Sequence, residues 1–212
     1  MKNTINPWEF KGDINYERLV REFGLSEMKE LPEIFNKELI FRRKIIFAHR
    51  DYQKVLEAIK NKKKFVMMTG LMPTGKFHLG HLLLVKQFLF YQKLGAKIYI
   101  AVADIEAYNT RNQSLEESRK IAIEEYITNY ISLGLEKENL EIYFQSERSK
   151  ESKKSNAYYR LQNILAKHLT FNEFTSTYGE ITPGKMISSL LQASDMLHPQ
   201  LPEFENECPV VI

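Results

Sequence analysis

Cysteine is nearly absent. Cys208 stands alone, so no disulfide can close within the chain, which fits a reducing cytoplasm. No charge of one sign dominates. The net charge of +3 permits a contact with nucleic acid without demanding one. Long hydrophobic runs are missing too. The longest fall far short of the ~20 residues that span a bilayer, so no membrane partner is expected. The opening MKNTINPWEFKGD is polar and charged, unlike a signal peptide. There is no internal repeat and no low-complexity segment. What is present is a chain of 212 residues, 43% hydrophobic and 27% charged, enough for one large domain or one domain with an insertion.

The pattern of apolar residues changes along the chain. DINYERLVREFG reads as a short amphipathic helix, with an Asp near its start and Gly24 at its end. A helix is expected from Asp51 to Lys60, with Val55, Leu56 and Ile59 as its apolar stripe. FVMMTG (Phe65 to Gly70), KIYIAVAD (Lys97 to Asp104) and LEIYFQ (Leu140 to Gln145) are apolar runs of the kind expected for buried parallel strands. Between them lie two helical stretches. The first, HLLLVKQFLFYQKLG, ends at Gly95. The second opens on the capping pair Ser114 and Glu117 and repeats Ala122, Tyr126 and Tyr130 at helical spacing. This strand–helix alternation predicts an α/β fold with a Rossmann-like parallel sheet. Its expected divisions are an N-terminal helical extension over 1–64, a nucleotide-binding half over 65–145, a helical insertion over 146–207, and the start of a second half over 208–212. Helices are expected within the insertion around Asn156 to His168 and Thr182 to Leu197, and CPVVI reads as a fourth strand. A chain that stops at a buried parallel strand is expected to be a fragment.

TGLMPTGKFHLGH carries two overlapping phosphate patterns. Gly70, Gly75 and Lys76 fit the start of a Walker A loop, but Phe77 stands where that loop needs a hydroxyl for magnesium. Pro73 also removes a backbone N–H. HLGH follows the first strand and opens a helix, where free N–H groups and the helix dipole attract phosphate. His78 and His81 lie three residues apart on one helical face, and both can donate hydrogen bonds to phosphate oxygens. Gly80 between them leaves room for a base or ribose. Alone, such a histidine pair could equally be a surface cap or half of a metal site. No third metal ligand is evident, and no metal site is expected.

PTGKFHLGH after a strand resembles the HIGH signature of class I aminoacyl-tRNA synthetases. PWEF, FRRKIIFAHRD, ADIEAY and YGEITPGKMISSLLQASDMLHPQL, in this order and spacing, resemble the tryptophanyl-tRNA synthetases of the archaeal and eukaryotic type, the archaeal branch more closely. The resemblance implies activation of L-tryptophan by ATP, with Mg2+ on the phosphates, transfer of the amino acid to tRNA(Trp), and a homodimer built through the insertion helices. It implies that His78 and His81 are the signature histidines on the ATP phosphates. Gly70, Met72, Pro73, Thr74 and Gly80 would line the nucleotide site. Met68, Glu106, Gln192 and Asp195 would form the tryptophan site, Glu106 near the α-amino group and Asp195 accepting the indole N–H.

Tyrosyl-tRNA synthetases share this layout. Those of archaea place a Tyr at the Met68 position and a histidine at the Glu106 position, so both residues favour tryptophan. The chain departs from eukaryotic tryptophanyl enzymes, which carry a Tyr at the Met68 position and a Gln at the Ala101 position. The family's KMSKS-type loop and its anticodon-binding domain would lie beyond Ile212, so the 212 residues by themselves are expected to aminoacylate little or not at all. Rival readings are a tyrosyl enzyme, a small-molecule nucleotidyltransferase with the same HxGH chemistry, and a non-catalytic binding or dimerisation module. FRRKIIFAHRD assigns no chemistry to His49 and Arg50 beyond docking the extension.

Overall fold

The computed structural model describes residues 5–6, 9–10, 16–29 and 31–212. At its centre is a parallel sheet of four strands: β5 (Val66–Leu71), β6 (Lys97–Val102), β7 (Leu140–Phe144) and β8 (Val210–Val211). Their spatial order is β7-β6-β5-β8, and the fold is α/β and Rossmann-like. Met67 lies opposite Ile98 on one side and Val211 on the other. The two central strands, β5 and β6, read as nearly unbroken apolar runs because both their faces are covered, whereas the edge strand β7 carries Glu141 and is mostly half-buried. Alternate residues supply two cores. Met67, Leu71, Ile98, Ile100 and Val102 face one cluster with Val85, Phe88 and Tyr130; Val66, Met68, Tyr99, Ala101 and Tyr143 face another with Tyr158 and Leu191. Full burial of each Val, Leu, Ile, Phe or Met side chain among them stabilises by about 1.5–3 kcal/mol.

The first cluster is covered by α5 (Leu79–Lys93) and by a long helix in three parts: α7 (Leu115–Ile121), a π-helical turn (Ala122–Ile127) and α8 (Thr128–Ser132). Ser114 caps α7 by accepting from the Glu117 N–H at 3.1 Å. Ala122, Tyr126 and Tyr130 are all buried, as their spacing predicts, but the π turn that carries two of them was not expected. The second cluster is covered by α9 (Ser152–Leu165) and α11 (Pro183–Leu197); α10 (Phe171–Tyr178) lies between these two in the chain.

Several boundaries differ from the sequence expectation. β6 ends at Val102 because Asp104 already opens α6 (Asp104–Arg111), a helix the sequence reading did not separate from the strand. Asp104 is buried and accepts hydrogen bonds from the Ile105 and Ser146 N–H groups, both at 3.0 Å, so it ties the ends of β6 and β7 together. β5 runs one residue later than expected, and β7 stops at Phe144 rather than Gln145. The helix expected from Asp51 is α4 (Gln53–Lys60), since Asp51 adopts a φ of 53° outside the helical region. α9 begins at Ser152, ahead of Asn156, and a 3-10 turn carries it on to His168.

In the N-terminal region, β1 (Ile5–Asn6) pairs antiparallel with β2 (Glu9–Phe10), so part of PWEF forms a strand while Pro7 and Trp8 lie outside the described residues. The first helix is α1 (Tyr16–Glu22), and the Asp expected near its start is also outside them. Gly24 follows α1 with a φ of 59°. Two short helices, α2 (Glu33–Lys37) and α3 (Leu39–Arg42), pack Phe35 and Phe41 against Phe90 of α5. β3 (Ser26–Glu27) pairs with β4 (Ala48–His49), and the Arg50 guanidinium donates to the Phe23 carbonyl. His49 and Arg50 therefore tie elements of the N-terminal region to one another, and these contacts do not reach the parallel sheet on which FRRKIIFAHRD was expected to dock the extension.

Candidate active site

The loop after β5, Glu106 after β6 and the Asp195 partners Tyr143 and Gln145 at the end of β7 lie at the C-terminal ends of the parallel strands, where open α/β sheets bind ligands, while Met68 lies within β5. Gly70 is exposed near the end of β5, and a Cβ placed there would meet nothing within 4 Å. In the loop that follows, Met72 is half-buried, Pro73 buried and Thr74 exposed. The Thr74 N–H is turned back onto the Met72 carbonyl at 2.8 Å, so it is not free to cradle phosphate as a Walker A amide would.

The first turn of α5 fixes the two histidines. His78 is its N-cap. The Gly80 N–H donates to His78 Nδ1 at 3.1 Å, and the His78 N–H donates to His81 Nδ1 at 3.2 Å. An Nδ1 that accepts carries no proton, so each neutral ring holds its hydrogen on Nε2. The rings lie 3.8 Å apart between centroids. Burial first, and then the neighbouring His78, hold His81 below the ordinary histidine pKa, so it stays neutral at pH 7. The pair thus offers two Nε2–H donors beside the helix N-terminus. Gly80 has a tighter reason to be glycine than room for a base. A Cβ there would come within 2.9 Å of His78 Cε1, so the ring occupies that space.

The second group gathers on the other core. Asp195, on α11, is only 5% exposed. Its Oδ1 accepts from Tyr143 Oη at 2.6 Å and Tyr158 Oη at 2.7 Å, and its Oδ2 accepts from Gln145 Nε2 at 2.8 Å. Burial raises the carboxyl pKa to about 6, although these donors pull it down. Glu106 lies in the first turn of α6. Burial, and then the charge of Asp195, raise it to about 7. Gln145 links the two, for its Oε1 accepts from the Glu106 N–H at 3.3 Å. Met68 is buried in the cluster that holds Tyr143, Tyr158 and Leu191. Gln192 is exposed, one turn before Asp195. α11 reaches this position by close approach to α6. At Gly184 a Cβ would come within 3.2 Å of Asn109, which donates to Ser188 Oγ at 3.1 Å.

Behind Asp195 lies a buried cation. Arg148 is 1% exposed, pairs with Glu141 at 2.6 Å, and lies over the Tyr143 ring at 4.0 Å and the Phe204 ring at 4.5 Å. It donates to His198 Nε2 at 2.7 Å, while His198 Nδ1 donates to the Ser194 and Asp195 carbonyls at 3.0 and 2.9 Å. Burial, and then Arg148, lower the His198 pKa to about 3, so the imidazole is neutral. Sequence reasoning missed Gln145, Tyr143, Tyr158, Arg148 and His198. Gln145 had a signal: a polar residue at the carboxyl end of a buried strand. The others had none.

With this geometry in view, the comparisons with known proteins are specific. Residues 60–201 match the family described as tRNA synthetases class I (W and Y), and the chain belongs to that family. It is 41% identical over 213 residues to a tryptophan–tRNA ligase of Aeropyrum pernix, covering 98% of this chain and 56% of that protein. A tryptophan–tRNA ligase of Methanocaldococcus jannaschii is 39% identical over 203 residues, covering 94% and 53% respectively. The crystal structure of tryptophanyl-tRNA synthetase from A. pernix superposes with a TM-score of 0.83 at 42% identity, over 92% of this chain and 53% of the other. The chain therefore spans little more than half the length of the curated relatives it matches.

Proposed function

We propose that this chain carries the amino acid-activating site of a tryptophan–tRNA ligase. The tryptophan carboxylate attacks the α-phosphorus of ATP, and pyrophosphate leaves with the electrons of the broken P–O bond. A 3′-terminal ribose hydroxyl of tRNA(Trp) then attacks the adenylate carbonyl, forming the ester as the bond to AMP breaks and AMP leaves. The chain supplies position and charge stabilisation rather than a nucleophile. His78 and His81 donate through Nε2 to phosphate oxygens, with Gly70, Met72, Pro73, Thr74 and Gly80 shaping the nucleotide side. Magnesium arrives with the ATP, on its phosphates. In this reading 65–145 is the nucleotide-binding half, 146–207 the insertion and 208–212 the start of the second half. A homodimer would pair through the insertion, where Ile164, Phe171 and Ile187 are exposed, and the cytoplasm would be the compartment.

The observation that carries this reading is the carboxylate of Asp195. A carboxylate has about four acceptor positions. Tyr143, Tyr158 and Gln145 fill three of them, which leaves one on Oδ2 for a ligand donor. An indole N–H or a phenol O–H would satisfy it. Met68, apolar and polarizable on the same core, favours the indole. Glu106 supports the other end of the ligand. Pushed up by its surroundings, it gains most from an ammonium that restores its charged form. Gln192 lies one turn away as a further polar contact. Calorimetric titration with tryptophan, tyrosine and Mg-ATP tests the assignment. Since both ligands carry a donor, pocket shape alone discriminates, and tryptophan is expected to bind about 10- to 100-fold more tightly than tyrosine. Tighter binding of tyrosine would reassign the substrate, and no binding of any of the three would favour a non-catalytic module.

A further inference from the structure

Two side chains outside the predicted site hold the loop between β5 and α5. Gln113 Nε2 donates to the Pro73 carbonyl at 2.9 Å, and Tyr126 Oη donates to the Thr74 carbonyl at 2.6 Å. Both come from the segment that joins β6 to β7. Gln113 follows Asn112, whose φ of 52° ends α6, and precedes the N-cap Ser114 of the next helix. Tyr126 stands on the π-helical turn. A single π turn re-aims the side chains it carries, and such turns recur at functional sites. Here the tyrosine is fully buried. Its ring stands edge-on to His81 at 4.9 Å, with Phe77 at 6.3 Å. One phenol therefore touches both the loop backbone and the second histidine.

The consequence follows from peptide planarity. In a trans peptide the C=O and N–H point in opposite directions. Tyr126 holds the Thr74 carbonyl inward, which turns the Gly75 N–H outward, where Gly75 lies exposed at a φ of 70°. Resting on the proposed ATP-dependent activation, we infer that Tyr126 and Gln113 are positioning residues for the nucleotide. They set the loop carbonyls inward and the Gly75 amide outward, and Tyr126 sets the His81 ring in the same contact. Tyr126 packs in the core on the sheet face opposite Met68, Tyr143 and Tyr158, so the clamp is expected to act on ATP and not on the amino acid.

The test separates those two ligands. Tyr126→Phe keeps the ring and its packing and removes only the hydroxyl; Gln113→Ala removes the second clamp. Mg-ATP and tryptophan binding are measured by calorimetry on the parent and both variants. Loss of one ordering hydrogen bond is expected to weaken Mg-ATP binding about five- to tenfold in each variant. Tryptophan affinity is expected to stay within about twofold. A merely structural role would weaken both ligands together, and that outcome overturns the inference. So does unchanged Mg-ATP affinity in both variants beside a parent that binds Mg-ATP and loses it on His78→Ala; the activation reading then stands and only the clamp falls. If the parent binds no Mg-ATP, or binds it regardless of His78→Ala, the activation reading fails and the clamp fails with it.

Discussion

Replacing Asp195 by Asn is expected to separate stability from ligand affinity. Burial lifts this carboxyl from its ordinary 3.8 to about 6. At about 1.4 kcal/mol per pKa unit, keeping it charged at neutral pH costs the fold about 3 kcal/mol. Asparagine removes that cost. Its Oδ1 can still accept from Tyr143 and Tyr158, but its Nδ2 faces Gln145 Nε2, donor against donor, where Oδ2 accepted at 2.8 Å. Gln145 cannot turn over without bringing its own amide against the Glu106 N–H, which its Oε1 now accepts. One buried hydrogen bond is lost, at about 1–3 kcal/mol. The two effects nearly cancel, so stability at pH 7 should stay within about 2 kcal/mol of the parent. The sign of the pH dependence is equally fixed. A carboxylate raised in the folded state contributes stability that is complete below its unfolded pKa and is lost as pH rises through the folded one. The parent should therefore lose about 3 kcal/mol relative to the variant between about pH 4 and pH 6.5. Glu106 should also titrate lower in the variant, because one of the charges that raise it is gone. Tryptophan affinity should fall at least about 100-fold, since a donor replaces the acceptor that the indole N–H requires. Urea unfolding followed by circular dichroism across this pH range, with calorimetry for tryptophan, measures both. Parallel stability curves for parent and variant, or tryptophan affinity within about threefold of the parent, would refute the reasoning.

Two further outcomes are expected. Glu205 is pushed up by burial but pulled down further, to about 2, by hydrogen bonds from Lys64, Lys97 and Tyr99. A depressed carboxylate stabilises above its unfolded pKa and loses that stability as pH falls, so Glu205→Gln should cost on the order of 2 kcal/mol at pH 7 and nothing near pH 2; equal losses at both pH values in urea titrations would contradict this. Gly80→Ala would set a methyl 2.9 Å from His78 Cε1 and force the ring off its Gly80 N–H. Helix propensity favours alanine by about 1 kcal/mol, so the melting temperature should hardly fall while Mg-ATP affinity drops about tenfold; unaltered affinity in a calorimetric titration would mean that the His78 ring has no part in binding.

Much of this architecture was readable before the structure. FVMMTG, KIYIAVAD and LEIYFQ announced parallel strands because apolar residues dominate them, with Glu141 the one charge inside the third, and HLGH marked a helix start because it follows a strand and a Gly-Pro loop. α6 was hidden because it begins two residues after β6 ends, with no turn residue between them. The π turn was hidden because Ala122, Tyr126 and Tyr130 keep ordinary helical spacing. Arg148 was the hardest to foresee. In ERSK it looks like one more solvated charge, and it is buried by packing over Tyr143 and Phe204, by Glu141 and by His198 fifty residues on. Residues whose meaning is local could be read along the chain, whereas the clamps and the cluster behind Asp195 exist only through long-range packing.

The first turn of α5 also has a consequence for how the molecule can fail. The hydrogen bonds that stop this helix end from fraying are the ones that decide which nitrogen of each imidazole carries the proton. Unwinding that single turn would release His78 and His81 into either tautomer at the same moment. Protection of the Gly80 and His78 amides against solvent exchange thus becomes a direct gauge of how much of the population holds the two rings with their protons on Nε2.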